Sequence, residues 1–165
     1  MVAYLIMCFE KYVAEKYPEK DMTLAVEIMW NIVDHVEYID VAAYRFLEII
    51  PDYLYEAPDY KSLEMESITE SEYDALINII PKPDVDPDLN LIMHRIYDVA
   101  MEFVYTEVNL KDPTTKKYIK EVDDILEKND ITLPDVNVLP KYEMDETRGW
   151  GVKIDAKPLS IILRK

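Results

Sequence analysis

His35 and His94 are the only histidines in the 165-residue chain, so any imidazole chemistry must use one of them. Asp98 follows His94 by four residues, a spacing that puts both side chains on one helix face within hydrogen-bond reach. Such a pair can orient a general base, but the sequence offers no recognisable nucleophile or metal site to complete it. Di-iron carboxylate chemistry needs Glu-x-x-His on helices. Ile32 and Leu91 occupy the positions three before the histidines and exclude it. Asp84-Val-Asp86-Pro-Asp88 has the acid spacing of a calcium loop, yet Leu89 stands where that loop requires glycine and Arg95 where it requires a bidentate glutamate. The segment reads instead as the acidic start of a helix.

Cys8 lies in an apolar run and reads as a small buried hydrophobe. As the single cysteine it excludes an intrachain disulfide framework and a cysteine-rich zinc site, and it fits a reducing cytoplasm. Trp30, among Ile28, Ile32 and Val33, reads as core. Trp150 sits between Gly149 and Gly151, the only glycines of the chain, and reads as a side chain packed on the helical body rather than a ligand platform. The sequence therefore predicts a chain that is not an enzyme, with no catalytic residue, no metal and no cofactor.

With glycine absent from the first 148 residues, phosphate-cradling loops and glycine-built hairpins are missing there, and a helical body follows. Val2, Leu5, Ile6, Phe9, Tyr12 and Val13 recur at three- and four-residue spacing, which predicts a helix over residues 2 to 16 before Pro18. A second helix is expected from about Met22 to Val36 with Asp21 as its N-cap. A third apolar segment runs from Tyr38 to Ile50, where Pro51 ends or kinks it. Thr69 and Glu72 form a capping box for a helix reaching Pro81. A long helix is predicted from Pro87 or Asp88 to about Val108. Asp112 with Pro113 opens another through Leu126.

Beyond residue 130 the texture changes to an extended connection, with Pro134, Val136, Val138 and Pro140. Trp150, Val152 and Ile154 then alternate toward Leu159, Ile161 and Leu163, with Asp155-Ala156-Lys157-Pro158 as a turn. The expected fold is mainly α: one domain over residues 1–165, a bundle of about six helices over 1–130 and a small C-terminal β-hairpin within 131–165. At this length a domain buries roughly 70% of its unfolded surface, so no metal or disulfide is needed to hold it. The apolar run Val2 to Phe9 is too short for a membrane span and lacks the basic leader of a signal peptide.

The outlying quantity is charge, −16 at neutral pH. Nucleic acid and anionic membrane are poor partners for such a surface. The charge is uneven: residues 37 to 74 hold eleven acidic and two basic residues, net −9, whereas residues 113 to 165 are neutral. Six tyrosines are interleaved with those acids. Tyrosine supplies large, stiff, amphipathic contact area, and a Pro-bounded irregular segment from Asp52 to Tyr60 cannot turn all its aromatics inward. The predicted partner-binding residues are Asp52, Tyr53, Tyr55, Glu56, Asp59 and Tyr60, with Glu64 and Glu66 extending the field. The complement is a basic protein surface, and steering between such surfaces brings association to about 10⁸ to 10⁹ M⁻¹s⁻¹ at low salt.

The order of short helices, the pattern Leu24-Ala-Val-Glu-Ile-Met-Trp30 and the later helix Leu91-Ile-Met-His-Arg-Ile-Tyr-Asp-Val-Ala100 resemble the acidic, mostly helical immunity proteins of bacterial polymorphic-toxin systems. The resemblance covers residues 1 to 135 and implies a cytoplasmic inhibitor that binds a cognate toxin, often a nuclease, and blocks its active site. A nuclease needs cationic surface of its own, which fits the charge argument. Two other classes stay open at this level. One is a small enzyme using His94 and Asp98; the other is a structural or assembly subunit, a homodimer formed through the hairpin edge.

Overall fold

The fold is described from a computed structural model. It describes residues 1–34, 39–63, 67–105, 112–139 and 153–164, with the backbone alone at 103–105. Among them are seven α-helices: α1 (Val2–Lys16), α2 (Thr23–Asp34), α3 (Ile39–Leu47), α4 (Pro51–Glu56), α5 (Glu70–Ile79), α6 (Pro87–Tyr105) and α7 (Pro113–Lys128). Short 3₁₀ turns cover Tyr60–Ser62 and Val136–Val138.

Helix α1 is the centre of the bundle. It packs against α2, α6 and α7, and its buried residues run around most of its circumference, with Leu5, Ile6, Cys8 and Phe9 fully enclosed. A helix apolar on nearly all sides must be covered on all sides. Helix α6 contributes Leu89, Ile92, Met93, Ile96, Val99 and Ala100 to the same core and also contacts α3 and α7. Trp30, Phe46, Ile49 and Ile50 close it from α2 and the end of α3.

Helix ends follow local chemistry. Thr69 and Glu72 form the expected capping box. Asp112 caps α7 by accepting from the Thr115 N–H at 2.7 Å, with Pro113 in the first turn where its missing N–H costs nothing. At the other end of α7, Ile131 N–H donates to the Leu126 carbonyl and Asp130 N–H to the Glu127 carbonyl, the paired bonds of a Schellman stop. That stop needs a left-handed residue, and Asp130 supplies it at φ 57° where glycine is the usual choice.

Pro51 ends the preceding segment and also opens α4, so Asp52 to Glu56 is helical, correcting the expectation of an irregular stretch. Proline pre-sets the helical φ at the first position, which is why one residue both stops and restarts the chain. A second correction concerns the C-terminus. No strand occurs among the described residues: 153–155 is non-regular, and turns and bends fill most of 156–164. The expected second strand, Leu159 to Leu163, is therefore absent, while Trp150, Val152 and the two glycines lie outside the described residues. Without an Asn-Gly or Asp-Gly turn the alternation had no local closing signal.

A buried carboxylate ties down residues 161 and 162. Glu10, 1% exposed, accepts from the Trp30 indole N–H at 2.6 Å through Oε1 and from the Ile161 and Ile162 N–H groups at 2.6 and 3.1 Å through Oε2. Ile154 N–H donates to the Val33 carbonyl, and the buried Ser160 Oγ accepts from Ile162 and Leu163.

Candidate functional site

Helix α4 is six residues long, too short to stand by its own hydrogen bonds, so tertiary contacts must hold it. Leu54 supplies the apolar anchor at 0% exposure. Tyr55 supplies a polar one: its hydroxyl donates to the Ile77 and Ile80 carbonyls at 2.8 and 2.6 Å, closing the exposed end of α5, while Lys82 Nζ lies 5.7 Å from its ring centre. On the other flank α4 is fastened to α6. Asn90 Nδ2 donates to Asp52 Oδ2 at 2.8 Å, Asp52 N–H donates to Asn90 Oδ1 at 3.3 Å, and His94 Nε2 meets Asp52 Oδ2 at 2.8 Å. An ionised carboxylate only accepts, so Nε2 carries the proton. The Asn90 hydrogen bond, followed by His94, holds the Asp52 carboxyl below its ordinary pKa although partial burial opposes it.

This arrangement divides the predicted interface residues. Asp52, Tyr53, Glu56 and Asp59 are exposed, Tyr53 by 43%. Tyr55 is turned inward by its hydroxyl. Tyr60 is half-buried with its ring 6.1 Å from that of Tyr73, whose hydroxyl donates to the Ala57 carbonyl. Glu64 and Glu66 lie outside the described residues. Further exposed acids extend the field, Asp40 on α3 and Glu70 and Asp74 on α5. Not every acid of the stretch joins it: Glu48 is 3% exposed and its Oε2 accepts from the Ser67 and Ile68 N–H groups, tying the approach to α5 onto the end of α3.

The sequence-derived histidine pair is corrected. His94 does not bond Asp98; it turns toward Asp52, with the Tyr53 ring 6.2 Å away. Asp98 accepts from Arg95 at 2.7 Å, and Arg95 also donates to Glu121 at 2.6 Å while its guanidinium lies 4.4 Å from the Tyr118 ring centre. Arg95, one position on from His94, thus commits Asp98 to the α6–α7 face. His35 lies outside the described residues. Asp86, from the acidic stretch before α6, caps that helix through the Leu89 N–H and accepts from the Tyr12 and Tyr17 hydroxyls, so its carboxylate joins α1 to α6. Among the described residues no group of three His, Cys, Asp or Glu side chains is placed to hold a metal ion, and no helix is long and apolar enough to cross a membrane.

An open cavity of about 640 Å³ lies elsewhere, between the end of α1, the turn into α2 and residues 157–163. Its rim mixes Glu19, Asp21 and Glu27 with Lys20 and Lys157, and Lys20 is committed to the Ile79 carbonyl at 2.8 Å. Sequence reasoning missed Glu10 altogether. The available signal was its phase, four residues after Ile6 and three before Val13 on the buried stripe. No family model, curated protein or solved structure matches this chain.

Proposed function

We propose that this chain is an acidic protein-binding module, an immunity protein that neutralises a cognate bacterial toxin, such as a nuclease, by covering its basic surface in the cytoplasm. The observation that carries the reading is the outward face of α4 and the turn after it, where Asp52, Tyr53, Glu56 and Asp59 are exposed together within the most acidic stretch of the chain. A domain with net charge −16 is self-repulsive, and a cationic partner relieves that repulsion. Aromatic area beside carboxylates gives such an interface both contact energy and steering.

On this reading the chain performs no catalysis, and His94 serves to hold α4. The experiment first asks whether a neighbouring reading frame encodes a protein with a basic C-terminal toxin domain, then co-expresses that domain with this chain; absence of such a frame counts against the proposal. The expected result is rescue of growth and a stable complex whose association slows steeply as salt rises from about 0.01 M to 0.15 M, where the screening length falls from about 30 Å to about 8 Å. Charge reversal at Asp52, Glu56 and Asp59, with folding checked by circular dichroism, should abolish the fast phase. Salt-independent association, or unchanged binding by the folded triple variant, overturns the proposal.

A further inference from the structure

The chain shows how it holds an arginine, and it displays the same ring and carboxylate acceptors a second time with no arginine seated on them among the described residues. On α7, Tyr118 and Glu121 are three residues apart and so share a helix face. Arg95 lies over that face with its guanidinium 4.4 Å from the Tyr118 ring centre, Nε donating to Glu121 and a terminal nitrogen to Asp98. A planar guanidinium can stack on a ring and fork its N–H groups to two carboxylates at once, which a lysine ammonium cannot reproduce.

On α4, Tyr53 and Glu56 have the same three-residue spacing, and Asp52 adds a second carboxylate beside them. All three are exposed, and Glu56 takes part in no ion pair among the described residues. The Asp52 carboxylate is oriented beforehand: Asn90 and His94 both engage Oδ2, and Oδ1 has no hydrogen-bond partner among the described residues on a side chain that is 50% exposed. A carboxylate already oriented by the fold loses little freedom when a ligand docks, and the Tyr53 ring beside it lies 6.2 Å from that of His94.

We infer that Tyr53, Glu56 and Asp52 form a receptor for one arginine side chain of the partner protein, the guanidinium stacking on Tyr53 and bonding the two carboxylates. The inference rests on the proposed binding of a basic protein and names the side chain that anchors it.

The test titrates the full chain with an oligoarginine and an oligolysine peptide of equal length at matched ionic strength, following binding by calorimetry and the amide spectrum by NMR. Oligoarginine should bind about threefold or more tightly than oligolysine, because an ammonium lying over the ring cannot also fork to both carboxylates. The preference should vanish in Tyr53→Leu and shrink in Glu56→Gln, both exposed positions, with the amide spectrum reporting that each variant is folded. Equal affinity for the two peptides, or a preference that survives Tyr53→Leu, overturns the arginine receptor. If both peptides still perturb Asp40, Asp52 and Asp74 equally, only the receptor falls. If neither perturbs this face, the basic-partner reading falls with it.

Discussion

Asp52 and His94 stand 42 residues apart in the chain and 2.8 Å apart in the fold. Their contact joins a six-residue helix to a nineteen-residue one. It therefore fixes the orientation of the face that carries Tyr53 and Glu56. The histidine acts here as a fastening donor beside a carboxylate whose pKa is lowered first by Asn90 and then by His94 itself.

Acid should loosen this fastening. The Asn90 amide and His94 lower the Asp52 pKa, and Glu72 is also lowered, because the Thr69 backbone and hydroxyl and the Arg45 guanidinium together outweigh its burial. A carboxylate whose folded pKa is depressed stabilises the fold above its unfolded value, about 4, and that contribution is lost as pH falls through the folded value. Thermal midpoints measured from pH 6 downward should therefore drop below about pH 4. The Asp52→Asn, Glu72→Gln double variant should show a shallower drop; an identical acid limb would remove these two groups from the account.

Two tyrosines separated by one residue should behave oppositely. Tyr55→Phe deletes the hydroxyl shared by the Ile77 and Ile80 carbonyls and should cost about 1 to 2 kcal/mol in urea unfolding, with partner binding retained. Tyr53→Ala should change stability by no more than about 0.5 kcal/mol and partner binding by about 2 kcal/mol or more. Reversal of that pattern would place the interface elsewhere.

Glu10 should control the C-terminal segment. Glu10→Ala leaves the buried Trp30 indole N–H without its acceptor, frees the Ile161 amide and leaves the Ile162 amide only the Ser160 hydroxyl, for an expected loss of about 2 to 4 kcal/mol. Hydrogen exchange should show the Ile161 amide opening, and Ile162 to a smaller extent, while α6 amides stay protected. Continued protection of Ile161 in the variant would show that other contacts hold the segment.

Cys8 should be inert in the folded protein. Its thiol is fully enclosed, and burial, with Asp123 nearby, pushes its pKa up to about 12. Thiolate is the reactive form, so a disulfide reagent at about pH 8 should label Cys8 only as fast as the chain unfolds. Rapid stoichiometric labelling of native protein would contradict the burial.

The helices were legible in the sequence because their causes are local. The apolar spacing from Val2 to Val13, the capping box at Thr69 and Glu72, and Asp112 before Pro113 act within a few residues of one another, and each marks a helix or helix end in the structure. The concentration of charge between residues 37 and 74 was legible for the same reason, since composition needs no coordinates.

Partners were not legible. His94 has Asp98 four residues away and bonds Asp52 instead; Glu10 is a charged residue on a central helix, and its acceptor role depends on an indole 20 residues on and on amides 151 and 152 residues on. Tyr53 and Tyr55 are the same residue type in the same helix, yet one faces solvent and the other spans to α5. The C-terminal alternation resembled a strand, but the Leu159 and Ser160 amides turn back on the Ala156 carbonyl, and those of residues 161–163 are satisfied by the Glu10 carboxylate and the Ser160 hydroxyl. Hydrogen bonds form with whatever acceptor the packed chain brings within about 3 Å. Which acceptor that is depends on contacts of long sequence separation, and only the folded bundle decides it.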